Sequence, residues 1–352
     1  MGLLKFFTLL FFISCSKLTY ITKQSYGQLS LELSGRDNGE VLEDKNVSSS
    51  DKNKIKRIIE YKNYFYKYFD KKSSAIYSET TFLKTKAVSY LVIASKFNEV
   101  EPLKVSFPFV GEFPYLGFYS LEDAKDYRDD LEKEKYYTYL RPVQAYSTLD
   151  KLFFKDNILS SFFYFPDFDL AELIFHELVH TIFFVDDNVS FNESLADYIA
   201  EEMVVEYFKI SKTEHNKRIE AKTKSRTLAK HVTSLALEYQ RALKNSKPKT
   251  REKADLMLSE FLEQRFTPSF TQKCIDLKID SCWPLERSWN NASFSAFLTY
   301  NEKKNIIKDI QAKRKMSLKE LMVFLSKSLS QFEESSYKSF PDYLKKTILN
   351  LP

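Results

Sequence analysis

Apolar and polar positions recur along the 352-residue chain with two different periods. Over residues 53–71, Ile55, Ile58, Ile59, Tyr61, Tyr64 and Phe65 return at helical spacing, which predicts a helix with one face turned inward. Residues 88–95 (VSYLVIAS) are short, β-branched and apolar and predict a strand. Residues 103–119 are extended as well, but Pro108, Gly111, Pro114 and Gly117 break them into an edge strand or bulged ribbon. An exposed helix is expected over 121–135 and a further strand over 137–146. From residue 169 onward the period is helical almost throughout, with helices expected over about 191–210, 213–245, 250–266, 288–300, 316–329 and 341–349. Residues 16–35 predict a short helix. Residues 36–52, rich in Asp, Asn, Ser and Gly, predict a linker or loop, and 270–288 a loop-rich excursion. No internal repeat and no clear second-domain boundary is visible. The expected fold is α+β: a small, mainly antiparallel sheet followed by an α-rich half.

The helix expected from residue 169 differs from the others. Asp169 and Glu172 have the spacing of an N-cap and its reciprocal partner. Leu170, Leu173, Ile174, Phe175, Leu178, Val179, Ile182 and Phe183 then surround the helix on almost every side, which marks it as buried. Yet it carries His176, Glu177 and His180, and polar groups inside a core need partners.

A metal supplies them. His176 and His180 lie one turn apart on one face, so both imidazoles reach a single ion. Glu177 is offset by about 100° from His176, so it can face a water on that ion without ligating it. This is an HExxH run, and a catalytic zinc normally takes three protein ligands and keeps one position for water. Glu193 is the best candidate for the third ligand, because it opens the next helix after the Asp186-Asp187-Asn188 turn. Ser190 and Glu193 also have capping-box spacing, which would tie the glutamate to its own helix start. Asp197, one turn on, can accept the second ring N–H of a ligating histidine. In such a site Glu177 is the general base and proton carrier. An oxyanion donor is needed too. His231 and His215 are weak candidates for it, as histidines on polar helical stretches.

Composition narrows the class. The net charge, 53 − 48 = +5, is mild and evenly spread. The 12 Lys/Arg against three acids over 211–251 fit a solvated helix better than a nucleic-acid groove, since the aromatic interleaving is thin. With 6 glycines and no glycine-rich phosphate loop, nucleotide chemistry is not expected. The 31 Phe and 22 Tyr are ample for a large core. At the N-terminus, Lys5 and an apolar run over 6–13 end at Ser14-Cys15. That run is too short for about 30 Å of hydrocarbon, which needs about 20 residues, and fits a signal peptide over 1–14. Phe12-Ile13-Ser14-Cys15 resembles a lipobox, in which Cys15 is lipidated and becomes the first mature residue; Phe12 stands where Leu is usual. Residues 15–52 are then a lipidated N-terminus and linker, and 53–352 the catalytic domain. Cys274 and Cys282, the remaining cysteines, could form a small-loop disulfide or stay free thiols.

The motifs in order carry a family resemblance. HELVH with the downstream FNESLAD resembles the gluzincin pattern of zinc metallopeptidases. YGQL near 26, FPFVGEFPYLGFYS, AYSTL at 145, LIFHELVH, FNES and WNNASF together resemble a family of bacterial putative aminopeptidases, often lipoproteins. The resemblance implies zincin-like active-site helices, Zn2+ on His176, His180 and Glu193, Glu177 as general base, and aminopeptidase activity. Leu116 stands where a basic residue is expected, and Asp150 where Gly usually follows AYSTL.

The expected protein is thus an exported zinc metallopeptidase, anchored to the bacterial cell envelope through Cys15, that acts as an aminopeptidase on short peptides. An endopeptidase using the same zinc, or a surface lipoprotein with a vestigial one, are the alternatives. Glu112 could receive a substrate's α-ammonium, and Tyr146, Asn291 and Tyr300 could line the cleft. The ribbon over 105–119 could pair with a peptide as an added strand.

Overall fold

The computed structural model describes residues 15–107, 111–144, 156–186, 188–298 and 306–347. In chain order the elements are α1 (Cys15–Leu33), β1 (Arg36–Asp37), α2 (Asn38–Glu43), α3 (Ser49–Tyr68), β2 (Glu79–Thr81), β3 (Ser89–Ser95), β4 (Val105–Phe107), β5 (Gly111–Phe113) and β6 (Leu116–Phe118). There follow α4 (Leu121–Lys133), β7 (Tyr137–Val143), β8 (Ile158–Leu159), a 3-10 turn (Ser160–Tyr164), α5 (Asp167–His180), α6 (Val189–Tyr207) and α7 (Lys212–Ser246). The chain then forms α8 (Arg251–Phe261), a π turn (Leu262–Phe266), α9 (Thr267–Asp276), α10 (Asn291–Leu298), α11 (Ile306–Arg314), α12 (Leu318–Glu333) and α13 (Phe340–Thr347). The class is α+β: mostly helix, with small sheets of two or three strands.

The chain divides into two compact units, one of residues 1–30, 87–144 and 216–301, the other of 31–86, 145–215 and 302–352. No boundary shows in the sequence because each unit draws on three separate stretches, so no single composition shift separates them.

In the first unit β3 is the centre of an antiparallel sheet ordered β6-β3-β7, with Ser89 opposite Val143 and Ser95 opposite Tyr137. The expected ribbon is present: β4 and β5 pair antiparallel, and Gly111 has φ +100°, a region open to glycine at little cost. On this unit α1 is held by Tyr20, whose hydroxyl donates to the Gly117 carbonyl at 2.8 Å and accepts from its N–H at 3.2 Å. Gly27 allows the close approach, since a Cβ there would collide with the Tyr119 ring. Behind the sheet, Leu228, Val232, Leu235 and Tyr239 of α7 join Phe266, Phe270, Trp289 and Phe294 in one buried cluster. Residues 270–288 were expected to be loop, but α9 runs to Asp276 as a continuation through the π turn. Its C-terminal end is tied by the Cys274–Cys282 disulfide.

The second unit holds a mixed sheet, β1-β2-β8, in which β2 pairs antiparallel with β1 and parallel with β8. Residues 36–52, expected as a linker, are folded into this unit. Their polar side chains are caps and core partners: Asp37 accepts from the Gly39 N–H at 2.8 Å to start α2, and Ser48 accepts from the Asp51 N–H at 3.1 Å to start α3. Buried Asn38 accepts from the Thr80 hydroxyl at 2.7 Å, and Val41 is fully enclosed. A cap-rich segment and a linker have the same composition.

Two helices matter most here. α5 buries Leu170, Ala171, Ile174, Phe175, Leu178 and Val179 on one half of its surface, while Glu172, Leu173, His176, Glu177 and His180 on the other half are half-buried. The helix expected to be buried all round is two-faced, and Ile182 and Phe183 lie beyond its end. α3 lies beside it and runs the same way, with Tyr61 edge-on to Phe175 at 5.9 Å between ring centroids. Near the start of α3, Lys54 donates to the Phe165 carbonyl at 2.7 Å and to Asp167 at 2.8 Å. Near its end, the Tyr66 hydroxyl meets Thr181 Oγ1 at 2.8 Å. Both ends of α5 are therefore pinned by one neighbour. The helix begins at Asp167 after Pro166, without a side-chain cap, so the expected Asp169 cap is not used.

Candidate active site

The histidines sit where the helical repeat puts them. Their ring centroids are 5.1 Å apart. Glu193, on α6, faces both: its Oε2 lies 3.2 Å from His176 Nε2 and its Oε1 3.5 Å from His180 Nε2. Among the described residues, the ligand atoms of His176, His180 and Glu193 all lie within 4.8 Å of one another.

Local structure explains why Glu193 reaches them. Asn192 is buried and forks onto one residue of the preceding turn: its Oδ1 accepts from the Val185 N–H and its Nδ2 donates to the Val185 carbonyl, both at 2.9 Å. That fork holds the connection between α5 and α6 in one shape. Ser190 is inside α6, where its carbonyl accepts from the Ser194 hydroxyl at 2.7 Å. The capping box therefore does not form, and the Glu193 carboxylate is turned to the histidines.

Asp197 lies one turn further along α6, with Oδ1 2.9 Å from His176 Nδ1. His176 thus faces a carboxylate at each ring nitrogen. Burial pulls its pKa down, but the hydrogen bonds to Asp197 and Glu193 more than offset this and push it up to about 10. His180 is shifted the other way, downward, chiefly by burial. The Glu193 carboxyl is held below its usual range, first by its bond to His176. Among the described residues His180 Nδ1 is buried without a hydrogen-bond partner, and the ring meets Glu193 on its Nε2 side.

Glu177 is half-buried and has a neighbour that sequence analysis missed. Tyr77 is 3 % exposed, and its phenol is pushed well above 10, first by burial and then by the negative charge of Glu177. Its φ of +58° is a conformation a bulky side chain rarely adopts and costs about 1–3 kcal/mol. Two bonds hold it there: its N–H donates to the Asp156 carbonyl at 2.8 Å, and its carbonyl accepts from Asn38 Nδ2 at 2.9 Å. Nothing in the sequence distinguishes Tyr77 among 22 tyrosines.

Three of the remaining candidates belong to the first unit. Glu112 is on β5 in the first unit, where it accepts from Ser106 at 3.1 Å and faces Lys104 at 3.6 Å. Asn291 is fully buried in the same unit and donates to the carbonyls of Lys96, Phe97 and Glu99 at 2.9–3.1 Å, clamping the loop after β3. His231 Nε2 bonds Ser269 Oγ at 2.6 Å, also in the first unit. Tyr146, Asp150 and Tyr300 lie outside the described residues, as do residues 1–14, expected as a signal peptide. Cys15 is the first residue of α1.

Fold and site together define an α+β protein with a two-histidine, one-glutamate cluster on paired helices, HExxH on the first and NExxxD on the second. The chain belongs to the family described as "putative aminopeptidase", whose model matches residues 19–342. No curated protein and no solved structure matches it.

Proposed function

We propose that this chain is a zinc metallopeptidase, exported and lipid-anchored, that removes residues from the N-termini of short peptides. The observation that carries the reading is the convergence of His176 Nε2, His180 Nε2 and the Glu193 carboxylate, with Asp197 behind His176.

The donor set suits zinc. Two ligands on a tetrahedral zinc, each bonded at about 2.0–2.1 Å, lie about 3.3 Å apart. The oxygen–nitrogen separations here are 3.2 and 3.5 Å. Two imidazoles and one carboxylate are a catalytic set, whereas a structural zinc takes four protein ligands. When bound, zinc supplies a water with its pKa lowered to about 7 and polarises the scissile carbonyl. The rest is done by this chain's own groups. Asp197 accepts the His176 Nδ1 proton, which leaves the Nε2 lone pair facing the cluster. Asn192 keeps Glu193 in place. Glu177 accepts the proton of the attacking water and delivers it to the departing amine.

The aminopeptidase direction rests on the family description. Export is supported by the Cys274–Cys282 disulfide, a bond typical of oxidising compartments. Anchoring is supported by the lipobox-like residues before Cys15. No helix among the described residues is long and apolar enough to cross a membrane.

The test is zinc per chain together with turnover of aminoacyl substrates, N-blocked peptides and internally quenched peptides, for wild type and Glu177→Gln. One zinc per chain in both, with turnover reduced about 10²–10⁴-fold in the variant, is expected. A wild type that binds no zinc refutes the metal reading. Equal cleavage of blocked and unblocked peptides refutes the aminopeptidase reading alone.

A further inference from the structure

We infer that the outward face of α1 is a membrane-contact surface that lies in the interfacial zone of a lipid bilayer beside Cys15. The inference rests on the lipid-anchor reading and goes beyond it. An acyl anchor alone leaves the protein free to swivel, whereas a docked helix fixes which face it turns to the membrane.

The helix has two distinct faces. With 100° per residue and Leu18 set at zero, the residues that hold α1 to its unit, Lys17, Tyr20, Lys23, Gln24, Gly27 and Gln28, fall between about 140° and 280°. Tyr20 bonds the Gly117 backbone, Gln24 accepts from the Tyr119 N–H at 3.2 Å, and Gln28 bonds the Tyr119 hydroxyl. Both lysines are turned to this side, Lys17 to the Ser106 carbonyl at 2.9 Å and Lys23 to Asp123.

The opposite arc carries Leu18, Ile21, Thr22, Ser25, Tyr26 and Leu29, between about 300° and 80°. Leu18 is 54 % exposed, Tyr26 73 % and Leu29 50 %, while Thr22 and Ser25 are exposed too. From Leu18 to Leu29 no charged residue falls on this arc. Thr22 spends its hydroxyl on the Leu18 carbonyl at 2.9 Å, which lowers the polarity of the stripe further.

The position of the chain end selects the occupant. Cys15 is the first residue of the helix, and by register it falls at about 60°, inside the apolar arc. Acyl chains carried by Cys15 would hold the bilayer within about a turn of Leu18, at the same end of α1. An interfacial helix buries its apolar face about 5–10 Å into the headgroup and acyl boundary. A tyrosine fits that boundary, with its ring in the apolar layer and its hydroxyl in the wet one.

The experiment uses the full chain, processed in cells and placed in vesicles of phosphatidylcholine and phosphatidylglycerol. Leu18→Cys, Leu29→Cys and, as a water-facing control on α4, Lys125→Cys each carry a nitroxide. Cys274 and Cys282 are bonded to each other and so take no label. The mass of the Cys15 peptide is measured in the same samples. With lipid on Cys15, the ratio of oxygen to nickel-chelate collisions should be about threefold or more higher at Leu18 and Leu29 than at Lys125. Equal ratios at all three sites, with Cys15 lipidated, overturn the inference and leave the anchor standing. Shielding of Leu18 and Leu29 from both reagents also overturns it, since that marks a protein partner such as a second copy. An unmodified Cys15 removes the anchor and the inference together.

Discussion

Asn192→Ala tests whether the turn fork sets the site. The side chain is 2 % exposed, and both of its bonds go to Val185, itself 2 % exposed. Truncation leaves the buried Val185 N–H without its partner, while the Val185 carbonyl keeps a longer bond from the Asn188 N–H at 3.4 Å. A buried polar group left unpaired costs about 1–3 kcal/mol and the lost bond to the carbonyl about 0.5–1.5 more, which sets the loss at about 1.5–4.5 kcal/mol before relaxation. Alanine is the better helix former by about 0.7 kcal/mol, and water reaching the turn recovers more. The net loss should be about 1–3 kcal/mol. With a urea dependence of about 1–3 kcal/mol per molar, the midpoint followed by circular dichroism should fall by about 0.5–1.5 M. Zinc affinity should drop about tenfold or more, because Glu193 is the next residue and loses its placement. Asn192→Asp keeps the acceptor for the Val185 N–H but turns a carboxylate on the Val185 carbonyl, so it should lose stability at neutral pH and recover part of it on protonation. A midpoint within about 0.2 M of wild type, with full zinc affinity in Asn192→Ala, would refute the reasoning.

Three further outcomes follow from the geometry. Tyr66→Phe removes the contact to Thr181 and the bond to Ser74 at the end of α5, and should cost about 1–2 kcal/mol in thermal unfolding while weakening zinc more than Ser74→Ala does. The Lys54 bond holds the Asp167 carboxyl below its usual range, so its contribution is present above the unfolded pKa near 4 and is lost as pH falls through the lower folded value. Lys54→Met should flatten the pH dependence of stability in that acid window only, and an unchanged acid limb would count against the pin. Reduction of Cys274–Cys282, which closes a separation of 8, should destabilise the first unit by about 2.5 kcal/mol, read from the fluorescence of Trp283 and Trp289 during urea unfolding.

Much of the site was legible because it is local. Histidines four apart on a helix share a face whatever surrounds them, but the all-round apolar pattern did not show that α5 buries only one half and keeps the histidines on the other. Glu193 is the best candidate for the third ligand by sequence, although its spacing from Ser190 also fits a cap. What removes the cap is where α6 begins, and that depends on the Asn192 fork. The strand over 88–95 and the ribbon were visible in β-branched runs and prolines. Residues 36–52 were not, since Asp37, Asn38 and Ser48 look alike as caps and as linker.

What the amino-acid order determined by itself, then, is the phase of each helix, the pairing of His176 with His180, and the polar residues poised to cap. The tertiary structure decided which distant stretches meet. Tyr77 lies beside a glutamate 100 positions later in the chain. Lys54 and Tyr66 grip the two ends of a helix more than 100 residues away. Two units are each assembled from three separated segments. Periodicity reports the direction in which a side chain leaves its own backbone. It carries no information on which other backbone will be there to meet it, because that choice is made by burial summed over the whole chain.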